Sequence, residues 1–336
     1  MALLFLLLQV EGCYYLQAIR GHTDLMSRRR PMAEVIADDE SSAELKSKLA
    51  LVMEAREFAV TELLLPDNDS YRSYADLERD YVVWNVFAAP EFELEPKTWC
   101  YPVAGCVAYR GYFSEDSARA LGKKLSDKGF DVAVGGVSAY STLGRFSDPV
   151  LNTMLRWSDV ELVATMFHEL AHQKLYVKGD SEFNESFATA VAEIGIGRWL
   201  ATRGESDRLA AHNEEKQFRR SMMALVAPVR EKLAALYDED IDEQTMRDRK
   251  ATILGELSAS AQSLVEARDK PVYNWLAPPL NNARLVSLNL YEGRLNAFST
   301  IAENCHQDLE CFYAYAEELA GMSREERSSR LFELSQ

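Results

Sequence analysis

The spacing of apolar positions changes character along the 336-residue chain, and each change predicts an element. Val160, Leu162, Val163, Met166, Phe167, Leu170 and Ala171 crowd a short stretch in the manner of a mostly buried helix. Ser158 with Glu161 three residues later is a capping-box signature for its start, and Gly179 marks a break after it. Asp180 or Ser181 then suits the cap of a second helix running through about Leu200. Upstream, the runs at 81–89, 106–113 and 131–143 are rich in β-branched and aromatic residues and read as strands, with Ser117–Lys128 as a helix between the last two. Residues 40–62 have helical character, and LPDNDSYRSY is a turn-rich connection. Beyond Gly204, two long charged helices, Ser206–Leu236 and Asp242–Ala267, are joined through the acidic residues 238–242 as an antiparallel hairpin, with their charge on a solvated face. A last helix runs through Ala320, and no internal repeat is visible.

The first buried helix carries the chemistry. His168 and His172 are four residues apart, one turn above each other on the same face, so both imidazoles can converge on one ion. Glu169 is rotated to the side of that pair, where a general base beside a metal belongs. A catalytic zinc usually takes three protein ligands, and Glu185, at the start of the second helix, is the candidate third. Asn184 beside it has two readings: it orients the substrate or the Glu185 carboxylate, or it makes a local bond at the helix start. His22, His212 and His306 occur singly in polar surroundings, which suits surface roles.

A hydrophobic content of 47% supports a real core in one large domain or two modest ones. The net charge of −16 argues against nucleic acid and anionic membrane surfaces as partners. The apolar run Ala2–Val10 is too short to span a bilayer but has the length of a signal-peptide core. Gly12-Cys13 follows it and resembles a bacterial lipobox, so a lipid on Cys13 is the expected membrane attachment. Cys100 with Cys106, and Cys305 with Cys311, form two local pairs that proximity favours as disulfides, which fits an oxidising compartment.

HELAH (168–172) followed by NESFA (184–188) resembles the gluzincin metallopeptidases. The blocks YYLQAIRGH, LPDNDSYRSYADL, TWCYPVAGCVAYRGYFSE, GGVSAYSTLGRFSDPVL and NNARLVSL, with the helix pair itself, are similar to a bacterial family described as putative aminopeptidases and zinc-dependent lipoproteins. The resemblance implies an α+β, zincin-like fold with a small mixed sheet, two metal-bearing helices and a long inserted helical hairpin. It divides the chain into a signal or lipobox-like segment (1–13) and one metallopeptidase unit (14–336): a sheet-containing part at about 70–150, metal helices at about 158–203, the hairpin at about 205–270 and a C-terminal part from 271. It implies Zn²⁺ held by His168, His172 and Glu185, Glu169 as the base that activates the water, and an exported, periplasmic, lipid-anchored peptidase. Tyr140, Tyr291 and Arg284 are the candidate donors to the oxyanion. In zincins an edge strand pairs with the extended substrate, and the run ending near Tyr140–Leu143 is the candidate. Thr189 stands where some gluzincins carry an acidic partner for the ligands, leaving Glu193 or backbone carbonyls to orient the histidines. No GxMEN-type signature is present, so exopeptidase and endopeptidase activity stay open. The alternatives are a zinc-binding or chaperone-like envelope protein without turnover, and a non-peptide amidase.

Overall fold

The computed structural model describes the backbone of residues 2–101, 105–268, 276–292 and 294–335, with side chains from residue 14 onward except 289–292. Helix α1 (Ala2–Ser27) leads into strand β1 (Arg29–Pro31), so the polar segment after residue 20 is helix and strand. Cys13 falls in α1, with its side chain outside the described residues. Helices α2 (Met32–Ala37) and α3 (Ala43–Thr61) follow, then strands β2 (Ser73–Ala75), β3 (Val83–Pro90), β4 (Trp99–Tyr101), β5 (Gly105–Val107) and β6 (Tyr109–Tyr112). Helix α4 (Glu115–Ser126), β7 (Phe130–Val137) and β8 (Val150–Leu151) complete the sheet-bearing part. The regular elements that follow among the described residues are a 3₁₀ turn at Asn152–Met154 and the helices α5 (Asp159–Lys174), α6 (Ser181–Thr202), α7 (Ser206–Ala224), α8 (Val226–Tyr237), α9 (Glu243–Glu266), α10 (Asn282–Glu292), α11 (Leu295–Asn304), α12 (Leu309–Gly321) and α13 (Arg324–Leu334). No helix of the described residues is long and apolar enough to cross a membrane.

Among the described residues, three small sheets stand where a single mixed sheet is expected. The largest, ordered β6-β3-β7, is antiparallel throughout. The mixed one is β1-β2-β8, whose strands are too short for a period-2 pattern to register. The run at 106–113 is two strands, because β5 turns away to pair with β4. The run at 131–143 ends as a strand at Val137; Thr142 is instead held in a loop by the Asp148 carboxylate, which accepts from its backbone N–H at 2.8 Å. Strand β7 is nonetheless an edge of its sheet. Both cysteine pairs are disulfides, Cys100–Cys106 joining opposed residues of β4 and β5, and Cys305–Cys311 bridging from the end of α11 into α12.

The first long charged helix is also divided, at Leu225. Pro228 has no N–H for the Ala224 carbonyl, and restarting the helix at Val226 puts the proline in a first turn, where that donor is not needed. Helix α8 then pairs with α9 while α7 packs on α6. The α8–α9 pair has its own apolar cluster, including Leu233, Leu254 and Leu257, joined by Leu285 of α10. One of its charges is not solvated: Lys250 is buried, donating to the Glu91 carbonyl at 2.7 Å and pairing with Asp131 at 2.6 Å. The C-terminal helix is likewise broken, where His306 and Gln307 take positive φ between α11 and α12.

The main core surrounds α5 and α6, with α3, α11 and α12 supplying Leu49, Val52, Phe298 and Phe312. Gly195 of α6 allows the approach: a Cβ there would lie 2.7 Å from both Phe167 of α5 and Leu63. The start of α6 is held by charge. Asp180 accepts from the Phe183 N–H as its cap, and its other oxygen pairs with Arg327 of α13 at 2.7 Å. Arg327 is buried and also donates to the Met322 carbonyl. Breaking a buried, hydrogen-bonded pair leaves a charge with no partner, so Arg327→Ala should lower the unfolding free energy by about 3–5 kcal/mol in a urea titration. A loss under about 1 kcal/mol would show that the α13 contact does not hold α6.

Candidate metal centre

Helix α5 begins with the expected capping box, Ser158 and Glu161 each accepting from the other's backbone N–H. Its buried face carries Leu162, Val163, Met166, Phe167 and Leu170 into the core, which turns His168 and His172 toward α6. The link between the two helices is clamped by Asn184. Its Oδ1 accepts from Val177 N–H at 2.7 Å and its Nδ2 donates to the Val177 carbonyl at 2.8 Å. Asn184 therefore makes the local bond, and its consequence is positional, since the next residue is Glu185. The β4–β5 hairpin lies on the same link: a Cβ on Gly105 would stand 2.9 Å from the Gly179 nitrogen.

These constraints bring three side chains together. His168 Nε2 lies 3.2 Å from Glu185 Oε2, His172 Nε2 lies 3.1 Å from His168 Nε2, and His172 Nε2 lies 3.7 Å from Glu185 Oε2. They form the one group among the described residues in which at least three His, Cys, Asp or Glu side chains could hold a metal, their ligand atoms within 4.8 Å of one another. Ligand atoms about 2.0–2.2 Å from a common tetrahedral centre lie roughly 3.3–3.5 Å apart, so the triangle has the dimensions, and two imidazoles with a carboxylate the chemistry, of a zinc site. Glu169 stands outside the triangle, and its carboxylate hydrogen-bonds no described residue. Its charge is nevertheless felt by His172, Tyr71, Tyr109 and Asp148.

Electrostatics bind the triangle as a unit. Burial by itself would raise the pKa of the Glu185 carboxyl, but hydrogen bonds from His168 and His172 and their charges win and hold it well below the usual range. Burial opposes protonation of His172, and the hydrogen bond and charge of Glu185, helped by Glu169, reverse that and raise its pKa. The His172 Nδ1 is buried without a hydrogen-bond partner among the described residues. Glu193 does not serve it, being paired instead with Lys216 and Arg220.

The candidate donors are placed differently. The Tyr140 hydroxyl lies 3.5 Å from His22 Nδ1, and its ring packs on Phe113. His22, far from being an isolated surface residue, sits against the rings of Tyr140 and Phe146. Arg284 lies in the first turn of α10, its backbone N–H bonded to Asn281, and the side chain of Tyr291 is outside the described residues. Tyr109, Tyr176, Tyr71 and Asp148 are near the carboxylates and were not singled out by the sequence. Their signal was present in the family-like blocks, but nothing in one sequence ranks a tyrosine in a strand by the face it occupies. Asp148 is fully buried beside Tyr71, whose N–H donates to the Asp148 carbonyl at 2.6 Å.

Residues 13–331 match the family described as "Putative aminopeptidase". No curated protein and no solved structure matches the chain.

Burial pushes the Asp148 carboxyl from 3.8 up to about 6, overriding hydrogen bonds from Thr142, and the charge of Glu169 adds to the rise. A raised carboxyl pKa favours the fold while protonated. Its contribution is therefore complete below about pH 3.8 and is lost as the pH climbs through about 6. Urea titrations of wild type and Asp148→Asn should show wild type losing stability relative to the variant from about pH 4 to about pH 7. A difference that stays flat over that interval would remove Asp148 as a strained carboxyl.

Proposed function

The chain belongs to the family described as putative aminopeptidases, and from that premise we propose that it hydrolyses peptide bonds at a zinc ion held by His168, His172 and Glu185. The observation that carries the reading is the convergence of those three ligand atoms with Glu169 beside them on the same helix turn. The architecture we propose is zincin-like: the helix pair α5–α6 as the metal-bearing unit and the β6-β3-β7 sheet ahead of it. When bound, zinc supplies polarisation of the scissile carbonyl and acidification of the attacking water. Glu169, which hydrogen-bonds no described side chain, accepts the proton of that water as its oxygen bonds to the carbonyl carbon. The same carboxyl returns the proton to the nitrogen as the C–N bond breaks, so the amine leaves neutral and Glu169 is regenerated. Glu185, held ionised by its surroundings, is suited to hold a cation throughout.

The family description favours cleavage at a free amino terminus, and the substrate class is a peptide. We also propose export and lipid attachment through Cys13. The two disulfides support an oxidising compartment, and the apolar segment preceding Cys13 supports a leader.

Purified protein should contain zinc in a one-to-one ratio by elemental analysis, and replacing both His168 and His172 by Ala should abolish it. Unchanged metal content in the double variant would dismiss the ligand assignment. Glu169→Gln keeps the shape of the side chain but removes its basicity, so it should retain zinc while peptide turnover falls about a hundredfold to ten-thousandfold. A peptide library with free and acetylated amino termini reads the second question: preference for free amines supports an aminopeptidase, and cleavage of blocked peptides makes it an endopeptidase. Metal-bound wild type that cleaves neither would overturn the hydrolase reading in favour of a binding protein.

A further inference from the structure

Helix α1 is apolar on a side that it turns away from the rest of the protein. Of the seven large apolar side chains that stand exposed among the described residues, three lie within five residues of α1: Tyr15 (38% exposed), Leu16 (48%) and Ile19 (62%). Helical spacing gathers them on one face, since Tyr15 and Ile19 are four residues apart and Leu16 and Ile19 three. A fourth, Phe146 (52% exposed), joins that face from the loop between β7 and β8. Its ring centroid lies 4.6 Å from that of His22, three residues beyond Ile19 on the same side of the helix. Single apolar side chains scattered over a surface need no explanation, but four gathered in one patch mark a contact surface.

Arginines border the patch. Arg20 follows Ile19 and Arg145 precedes Phe146; both are exposed, and neither side chain makes a hydrogen bond or ion pair with a described residue. Arg29 reaches the same loop, donating to the Ser147 carbonyl at 3.0 Å, and pairs with no carboxylate of the described residues. The nearest carboxylate along α1, Asp24, is already engaged by Arg28 at 3.2 Å. The net charge of −16 sums over every face of the protein, whereas attraction at a contact is set by the charges within a Debye length, about 8–10 Å. Apolar side chains on one helix face with unpaired arginines at the rim suit a lipid interface, the first reaching the acyl boundary and the second the phosphates. Position along the chain agrees. Helix α1 runs back from Leu16 through Cys13 to the apolar run Ala2–Val10, so Cys13 is within one turn of the patch.

We propose that the α1 face of Tyr15, Leu16 and Ile19, continued by Phe146, docks on an anionic bilayer surface, with Arg20, Arg29 and Arg145 against lipid phosphates. The proposal rests on the membrane attachment proposed above for bringing the chain to lipid, and the face itself binds with or without an acyl chain. A single acyl chain holds a protein only reversibly, so a second point of attachment changes residence at the membrane. It also fixes orientation, because a helix lying along the surface cannot swing as a tethered end does.

The test uses the full chain carrying Cys13→Ser, which no lipid can join, in sedimentation with vesicles of phosphatidylcholine and of an equal mixture of phosphatidylcholine and phosphatidylglycerol. Every chain compared shares the segment before residue 14, so differences among them report the face. Adding Arg20→Gln with Arg145→Gln should weaken binding to the anionic vesicles about tenfold to thirtyfold, roughly fivefold for each arginine, and leave binding to neutral vesicles unchanged. Adding Leu16→Gln with Ile19→Gln should weaken binding to both. Melting temperatures should not move, because these side chains are exposed. A fluorophore on Ile19→Cys should shift its emission to the blue on anionic vesicles, and one on Ser260→Cys of α9 should not. An Ile19 label that does not shift, or two double variants that bind as their parent does, overturns the face. A parent chain that ignores both kinds of vesicle overturns the lipid surface and leaves the patch to a protein partner. Mass spectrometry of the wild type reads the anchor separately: an unacylated Cys13 removes the lipid attachment, and vesicle binding that still depends on the variants keeps the face.

Discussion

The packing of α5 against α6 is the constraint on which the rest of the structure depends. His168, His172 and Glu185 come from two helices joined by a six-residue link, and their Nε2 and Oε2 atoms meet only if those helices keep one separation and one rotation. Both are set by apolar contacts on the far side of the helices, where Phe167, Leu170, Phe183 and Phe187 are buried. The absence of a side chain at Gly195 sets the distance. Close-packed interiors tolerate little slack, so a core residue far from any polar atom helps decide where the imidazoles point.

The polar side of that helix pair works in the other direction. Two histidines and a carboxylate share a partly buried space in which the charge of Glu169 is felt by His172 and, beyond the triangle, by Asp148. Carboxylates gathered in low dielectric repel one another and lose hydration, which strains the fold. The surroundings offset this through many fixed contacts: Asn184 clamps the link, Arg327 secures Asp180 at the start of α6, and the Gly105 turn lies against Gly179. A bound cation would complete the same balance, and its binding free energy would then add to the stability of the fold.

The helical hairpin is more than a charged appendage. Lys250 reaches from α9 to Asp131 and the Glu91 carbonyl, while the side chain of Asn282, at the start of α10, donates to the carbonyls of Pro90, Glu91 and Glu93. These bonds tie the hairpin to the ends of β3 and β7, the same sheet whose opposite edge carries Tyr109. The hairpin's core and the sheet are thereby coupled through buried polar contacts that fix orientation more strictly than apolar burial does.

The chain by itself determined the local elements whose signals are short-range. The capping box at Ser158, the i,i+4 histidines, the cap at Asp180 and the pairing of cysteines six apart all lie within one or two turns of chain, where backbone geometry alone sets the distances. The break at Pro228 was equally local, written in the missing N–H, yet the charged helical pattern around it masked the signal. What only the tertiary structure decided depends on contacts between distant segments. Which tyrosine approaches the carboxylates depends on the register of β3 with β6 and β7; a shift of one residue would turn Tyr109 and Asn85 to the α4 side. The burial of Lys250 and the engagement of Glu193 by Lys216 and Arg220 depend on partners from other elements. A charge reads as solvated until the fold supplies the opposite charge and removes the water, and that step is not local in the chain.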